Sequence, residues 1–281
     1  MTGPSPITMK DINTSPEVEN SNATSVAPSD FPKHYQVIKH VKPDETDVPY
    51  DDHVGIGMEC IVYRHGKDKV LKIPRGYRTR APDGTWSDPP TVSIYSAEHI
   101  ARGQEAYERL KGVVGIAEYF GIESGEICLK YYTKGSLEKC LESADEKTRY
   151  KWMIEATEIV RKCHEARILL FDIHMQNFVV DDDLTLRGID SAQVEFFALD
   201  TDMVNADCDG LTVKVDLVSL GCVLYSLATG TRFRVDCWSE EEWPTEFRST
   251  EHLIVGQVIQ RCWDRQYSST EELLEELRAL G

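Results

Sequence analysis

A two-lobed α+β fold is predicted for this chain: a small β-rich N-terminal lobe, a larger helical C-terminal lobe, and a cleft between them. Three observations predict it. Short runs rich in β-branched residues crowd residues 35–128, helical apolar spacing dominates after Gly135, and a short β-like patch at 168–190 interrupts the helices. With 281 residues, 41% of them hydrophobic, the chain is long enough to bury a sizeable core.

Residues 1–33 are rich in Ser, Thr, Pro, Asn and Asp and show no apolar period. Such a segment cannot bury enough surface to offset its chain entropy, so a disordered tail is expected, with the domain running over 34–281. The runs "ECIVYRHG" and "DKVLKIP" read as two strands joined at His65-Gly66, a hairpin signal, with Pro74 closing the second. Residues 75–90 carry two Gly and three Pro and read as a loop or small hairpin, with Arg75, Arg78 and Arg80 solvated. A helix is expected over 96–111, then strands in "IAEYFGI" and "EICLKYY".

After Gly135 the apolar residues fall three and four apart in "EKTRYKWMIEATEIVRKCHEA", a helix with one buried face. Phe178–Val180 and Leu184–Arg187 read as a strand pair around an Asp turn. Helices follow in "VKVDLVSLGCVLYSLATG", "EHLIVGQVIQRCWDR" and "TEELLEELRAL".

A net charge of −17 lacks the basic footprint of a nucleic-acid binder and disfavours anionic membrane surfaces. The apolar stretch 213–228 contains Lys214 and Asp216, so a buried helix is expected rather than a membrane span. No C-x-x-C pair occurs among the eight Cys, which are expected as buried thiols rather than disulfides or metal ligands. With no secretory signal pattern, an intracellular monomer, cytoplasmic or nuclear, is expected.

The chemistry concentrates between Asp172 and Asp190, where the chain reads D-I-H-M-Q-N, an apolar stretch, then G-I-D. A carboxylate, an amide and a second carboxylate at this spacing suit phosphoryl transfer. One carboxylate orients the incoming hydroxyl, while the amide oxygen and the other carboxylate hold Mg²⁺. Upstream, Gly55 and Gly57 sit between strand segments where a backbone can approach phosphates, and Val62 can cover a base. Lys72, on the next strand, can reach those phosphates.

The order of Gly loop, strand Lys, "LKYYTKGSL", "CHEARILLFDIHMQN", "GID" and "VDLVSLGCVLYSLATG" resembles the eukaryotic protein-kinase family over residues 35–281. The resemblance implies a protein Ser/Thr kinase using ATP and Mg²⁺. In it Asp172 is the catalytic-loop Asp, Asn177 and Asp190 hold the metal, and Lys72 binds phosphate. Leu129 is the gatekeeper, and the Lys130 C=O and Tyr132 N–H meet adenine. Asp216 braces the catalytic loop. Glu105, with Glu98 as the other register, is the helix Glu that pairs with Lys72.

The chain departs from the family in several places. Cys60 replaces the third loop glycine, and Leu170-Phe171 replaces the His-Arg before the catalytic Asp, so no activation by loop phosphorylation is expected. His174 stands where a Lys would neutralise the transferred phosphoryl group. Ser191-Ala192 replaces Phe-Gly, and the segment leading to Asp216 is short, which reduces the surface that docks a peptide. Two other functions stay open: a pseudokinase scaffold, and a small-molecule kinase. "D-I-H-x-x-N" is similar to the loop of aminoglycoside and choline phosphotransferases.

Overall fold

The computed structural model describes residues 38–57, 59–88, 90–92, 95–188, 193–235 and 244–281. The expected 1–33 tail, Asp190 and Ser191-Ala192 lie outside the described residues. Residues 38–281 form one compact unit of mixed α+β structure.

Strands β2 (His53–Ile56), β3 (Cys60–His65), β4 (Lys69–Pro74), β7 (Tyr119–Glu123) and β8 (Glu126–Lys130) build a five-stranded antiparallel sheet in the order β2-β3-β4-β8-β7. Its central strand β4 is buried from Val70 to Ile73, including Lys72. Helix α1 (Ser96–Arg109) packs on this sheet, its apolar residues Ile100, Ala106 and Tyr107 facing inward.

Of the two readings of residues 75–90, the small hairpin is found, closed by the antiparallel Arg80–Trp86 bridge, and the solvated loop is not. Strand β5 (Gly76–Thr79) pairs with β1 (Ile38–Val41) and β6 (Thr91–Val92) in a separate three-stranded sheet. Its arginines are used internally. Arg78 bonds the Glu45 side chain at 3.1 Å, and Arg80 lies over the Trp86 ring.

The helical part centres on α4 (Val213–Thr229), buried almost all round, as its largely apolar sequence demands. Thr212 caps its start, and Gly230 ends it with φ 68°, a left-handed conformation that favours glycine. Against α4 pack α3 (Glu146–Glu165, capped by Asp145) and α5 (Gly256–Trp263), and α6 (Thr270–Arg278, capped by Ser269) packs on α3 and α5. Trp152, Met153, Ala156, Ile159 and Val160 of α3 form the buried stripe that the three-and-four spacing predicts. The short α2 (Leu137–Cys140) precedes α3.

Between α3 and α4 lie β9 (Ile168–Leu169), the antiparallel pair β10 (Phe178–Val180) and β11 (Leu186–Gly188), and β12 (Glu195–Phe196), which pairs with β9. Strand β11 starts later than the sequence suggests because Leu184 adopts φ 63° and Asp183 bonds both the N–H and the hydroxyl of Thr185. No helix of the described residues is long and apolar enough to cross a membrane. The described cysteines are free thiols.

Candidate active site

The Leu170–Asn177 loop follows β9 and is fixed from below by Asp216 of α4. Asp216 is fully buried and accepts the backbone N–H groups of Leu170 at 2.9 Å and Phe171 at 2.7 Å. Its Oδ2 also lies 2.8 Å from His164 Nε2. A buried carboxylate survives only with such donors. Phe171 has φ 57°, a conformation that costs a non-glycine residue about 1–2 kcal/mol. The bonds to Asp216 and packing of the Phe171 ring against the helical core hold that strain in place.

Above this base sit Asp172 and Asn177. Asn177 donates its Nδ2 to the Asp172 backbone C=O at 2.8 Å, with the Asp172 carboxylate at 3.4 Å. With its nitrogen so engaged, the amide presents its oxygen, the atom a hard cation prefers. His174 Nε2 lies 3.4 Å from Asp172 Oδ2, and its Nδ1 accepts the Gln176 N–H. Among the described residues no cluster of three or more His, Cys, Asp or Glu is arranged to hold a metal, and Asp190 lies outside them.

Lys72 is only 4% exposed, paired in register with Val62 on one side and Ile127 on the other. A buried ammonium requires anionic company. Helix α1 does not supply it through the expected glutamates, which is a correction. Glu105 lies on the outer face, exposed and paired with Arg109 at 3.1 Å, and Glu98 is exposed and paired with Arg102. The positions that turn inward are Ser96, Ile100, Gly103, Ala106 and Tyr107. One residue of helix is about 100° of rotation, and that separates Glu105 from the buried face.

Helix α1 is instead tied through its arginines. Arg102 bonds the Val194 C=O at 2.8 Å and the Glu195 carboxylate at 2.9 Å, and Arg109 bonds the Phe197 C=O at 3.1 Å. The helix is thereby moored to the segment that contains β12.

Gly55 and Gly57 have no left-handed φ, and a Cβ at either would meet only ordinary contacts, at 3.9 and 3.5 Å. The fold itself therefore does not demand glycine there. The Gly57 N–H donates to the Cys60 C=O at 2.8 Å, so this turn closes on itself. Its carbonyl is held by Arg75 at 3.1 Å.

Leu129 is buried among Cys60, Val70, Ile100 and Tyr107. Lys130 and Tyr132 follow, at the junction to α2. The Lys130 Nζ bonds Asp181 at 3.2 Å, in the turn between β10 and β11, and the Tyr132 hydroxyl accepts the Glu118 N–H at 3.0 Å. Burial works against ionisation of Asp181, but the Asp182 N–H and Lys130 outweigh it and hold the carboxyl below its ordinary value. Burial also pushes the Tyr132 phenol up, keeping it neutral.

One site residue was missed from sequence. Arg234 places its Nη2 3.2 Å from Asp172 Oδ1. It comes from the segment after α4, far along the chain, and no spacing rule links it to the D-I-H-x-x-N loop. Together with Glu138, His174, Met175, Val223 and Phe233 it lines a pocket beside Asp172.

No protein-family model matches the chain, and no curated protein matches it.

Proposed function

We propose that the chain is a divergent ATP- and Mg²⁺-dependent phosphotransferase with a two-lobed protein kinase-like architecture, acting on Ser/Thr hydroxyls. The observation that carries this reading is the Asp172–Asn177 pair. A carboxylate and an amide are locked together at 2.8 Å through the Asp172 carbonyl, on a strained loop that a fully buried Asp216 holds in place. A merely structural turn needs no such bracing.

In this reading Asp172 orients the acceptor hydroxyl and receives its proton. Asn177 and Asp190 would hold Mg²⁺, which would supply positive charge to offset that of the nucleotide phosphates. The buried Lys72 ammonium suits an anionic phosphate, and glycine at 55 and 57, which the fold does not require, suits close approach of the same phosphates. Leu129, Lys130 and Tyr132 border the adenine. The mooring of α1 by Arg102 and Arg109 fits a site without a phosphorylation switch in its loop.

Thermal unfolding with and without Mg²⁺-ATP tests the reading. A ligand at about 100 times its Kd contributes about 2.7 kcal/mol, a rise of several degrees in Tm. The rise should vanish in Asp190→Ala and shrink in Lys72→Met. No shift in the native chain would end the phosphotransferase reading. A second reading, a nucleotide-binding module without turnover, is favoured by one observation: Glu105 and Glu98 of α1 are spent on surface pairs with Arg109 and Arg102. Phosphate release that disappears in Asp172→Ala separates the two.

A further inference from the structure

The D-I-H-M-Q-N loop contains no Lys or Arg, although the group it would transfer is an anion. A guanidinium nevertheless stands on the Asp172 carboxylate. Arg234 reaches Oδ1 at 3.2 Å, while His174 and Asn177 approach Oδ2, each at 3.4 Å, so both oxygens have neighbours.

The segment that delivers Arg234 is built rather than draped. Gly230 turns the chain out of α4 in the left-handed region. Ser226 Oγ then accepts the Phe233 N–H at 2.9 Å and donates to the Phe233 C=O at 3.1 Å. The Phe233 ring packs on Tyr225 and Trp263 at centroid distances of 5.2 and 5.6 Å. Arg232, one residue before it, bonds Glu138 of α2 at 2.7 Å, and Glu138 also holds the Gln176 side chain. The two arginines flank an anchored aromatic residue, so Arg234 is aimed at Asp172 by side chains buried in the helical core.

We propose that Arg234 is a positioning residue for phosphoryl transfer: it orients the Asp172 carboxylate toward the acceptor hydroxyl and sets beside it the fixed positive charge that the loop itself lacks. The inference rests on the phosphotransferase reading. In the step, the acceptor oxygen bonds the γ-phosphorus as the bond from that phosphorus to the β-bridging oxygen breaks. ADP leaves with the electron pair, and the acceptor proton passes to Asp172. The Arg234 guanidinium keeps its charge at any working pH, and its Nη2 already stands 3.2 Å from the carboxylate that takes the proton.

The test uses the full chain and phosphate release from Mg²⁺-ATP, with water as acceptor. Arg234→Ala should lower kcat about 100-fold, the loss typical of removing one charge-stabilising donor. KM for ATP should stay within about twofold, and the Mg²⁺-ATP thermal shift should persist, because binding is not what Arg234 serves. Arg234→Lys should recover part of the lost rate, which a purely structural role would not produce. If the alanine variant fails to fold, Arg234→Gln replaces it and must lose turnover that Arg234→Lys retains.

Turnover in Arg234→Ala equal to the native chain overturns the inference and leaves the phosphotransferase reading standing. Faster turnover also overturns it, by showing that the arginine obstructs Asp172. A rise in KM alone assigns Arg234 to nucleotide binding and overturns it as well. A native chain that binds Mg²⁺-ATP but releases no phosphate brings down the reading and the inference together.

Discussion

Asp216 accepts the backbone N–H of Phe171 at 2.7 Å, and Phe171 is held at φ 57°. A buried carboxylate on the central helix thus fixes the backbone of the residue immediately before Asp172. Asp216→Asn replaces one of two acceptor oxygens by a donor that faces a backbone N–H group, and should cost about 3 kcal/mol of stability in urea unfolding. A loss under about 1 kcal/mol would remove Asp216 from this role.

Glu126 and Asp181 should respond to pH with opposite signs. Burial raises the Glu126 carboxyl above its ordinary value, although the hydrogen bond from Tyr63 lowers it. The folded chain therefore binds this proton more tightly than the unfolded chain, and stability falls as pH rises from the ordinary carboxylate range through the raised value. Glu126→Gln should be more stable than the native chain at pH 7, and the difference should close towards pH 4.

The Asp181 carboxyl is held below its ordinary value, so its contribution is present above the unfolded pKa and fades as pH falls through the folded one. Asp181→Asn should be less stable at pH 7, by up to about 1 kcal/mol for this partly exposed pair with Lys130, with no difference in acid. Thermal unfolding across pH 3 to 8 reads both variants, and a shared sign would contradict the account.

Gly221 marks where α4 and α5 touch. A Cβ there would lie 2.8 Å from the Cys262 Cβ and 3.1 Å from the Trp263 ring. Gly221→Ala should destabilise the chain by about 1–3 kcal/mol through overpacking, measured by chemical unfolding. A neutral effect would mean that α5 can move away freely.

Glu105→Gln should change stability by less than about 0.5 kcal/mol and leave the Mg²⁺-ATP thermal shift intact, since Glu105 is exposed and pairs only across one turn with Arg109. Loss of that shift would bring Glu105 back towards Lys72.

Much of the architecture was readable because its signals are local. The β3–β4 hairpin, the buried stripe of α3 and the largely apolar α4 each follow from the pattern within one segment. Register on α1 was not, because "GQEAYERL" offers a small residue and a charged one at adjacent angles. Only packing selects Gly103 and Ala106 for the inside.

The pairing of β5 with β1 was equally hidden, since it joins segments separated by the three strands β2, β3 and β4 and turns part of a Gly- and Pro-rich stretch into strand. At the site, Asp172 and Asn177 were visible from spacing, and the structure brings them together. Arg234 was not visible. Its approach depends on how α4 ends and where Phe233 packs, and neither leaves a motif in the sequence.

Phosphoryl transfer at Asp172 is read most directly by phosphate release from Mg²⁺-ATP by the native chain beside Asp172→Asn. Mg²⁺-dependent release is expected in the native chain. In the variant the rate should fall by about 100-fold or more while the Mg²⁺-ATP thermal shift is kept. Equal rates in the two proteins, or no release from a native chain that binds Mg²⁺-ATP, would contradict it.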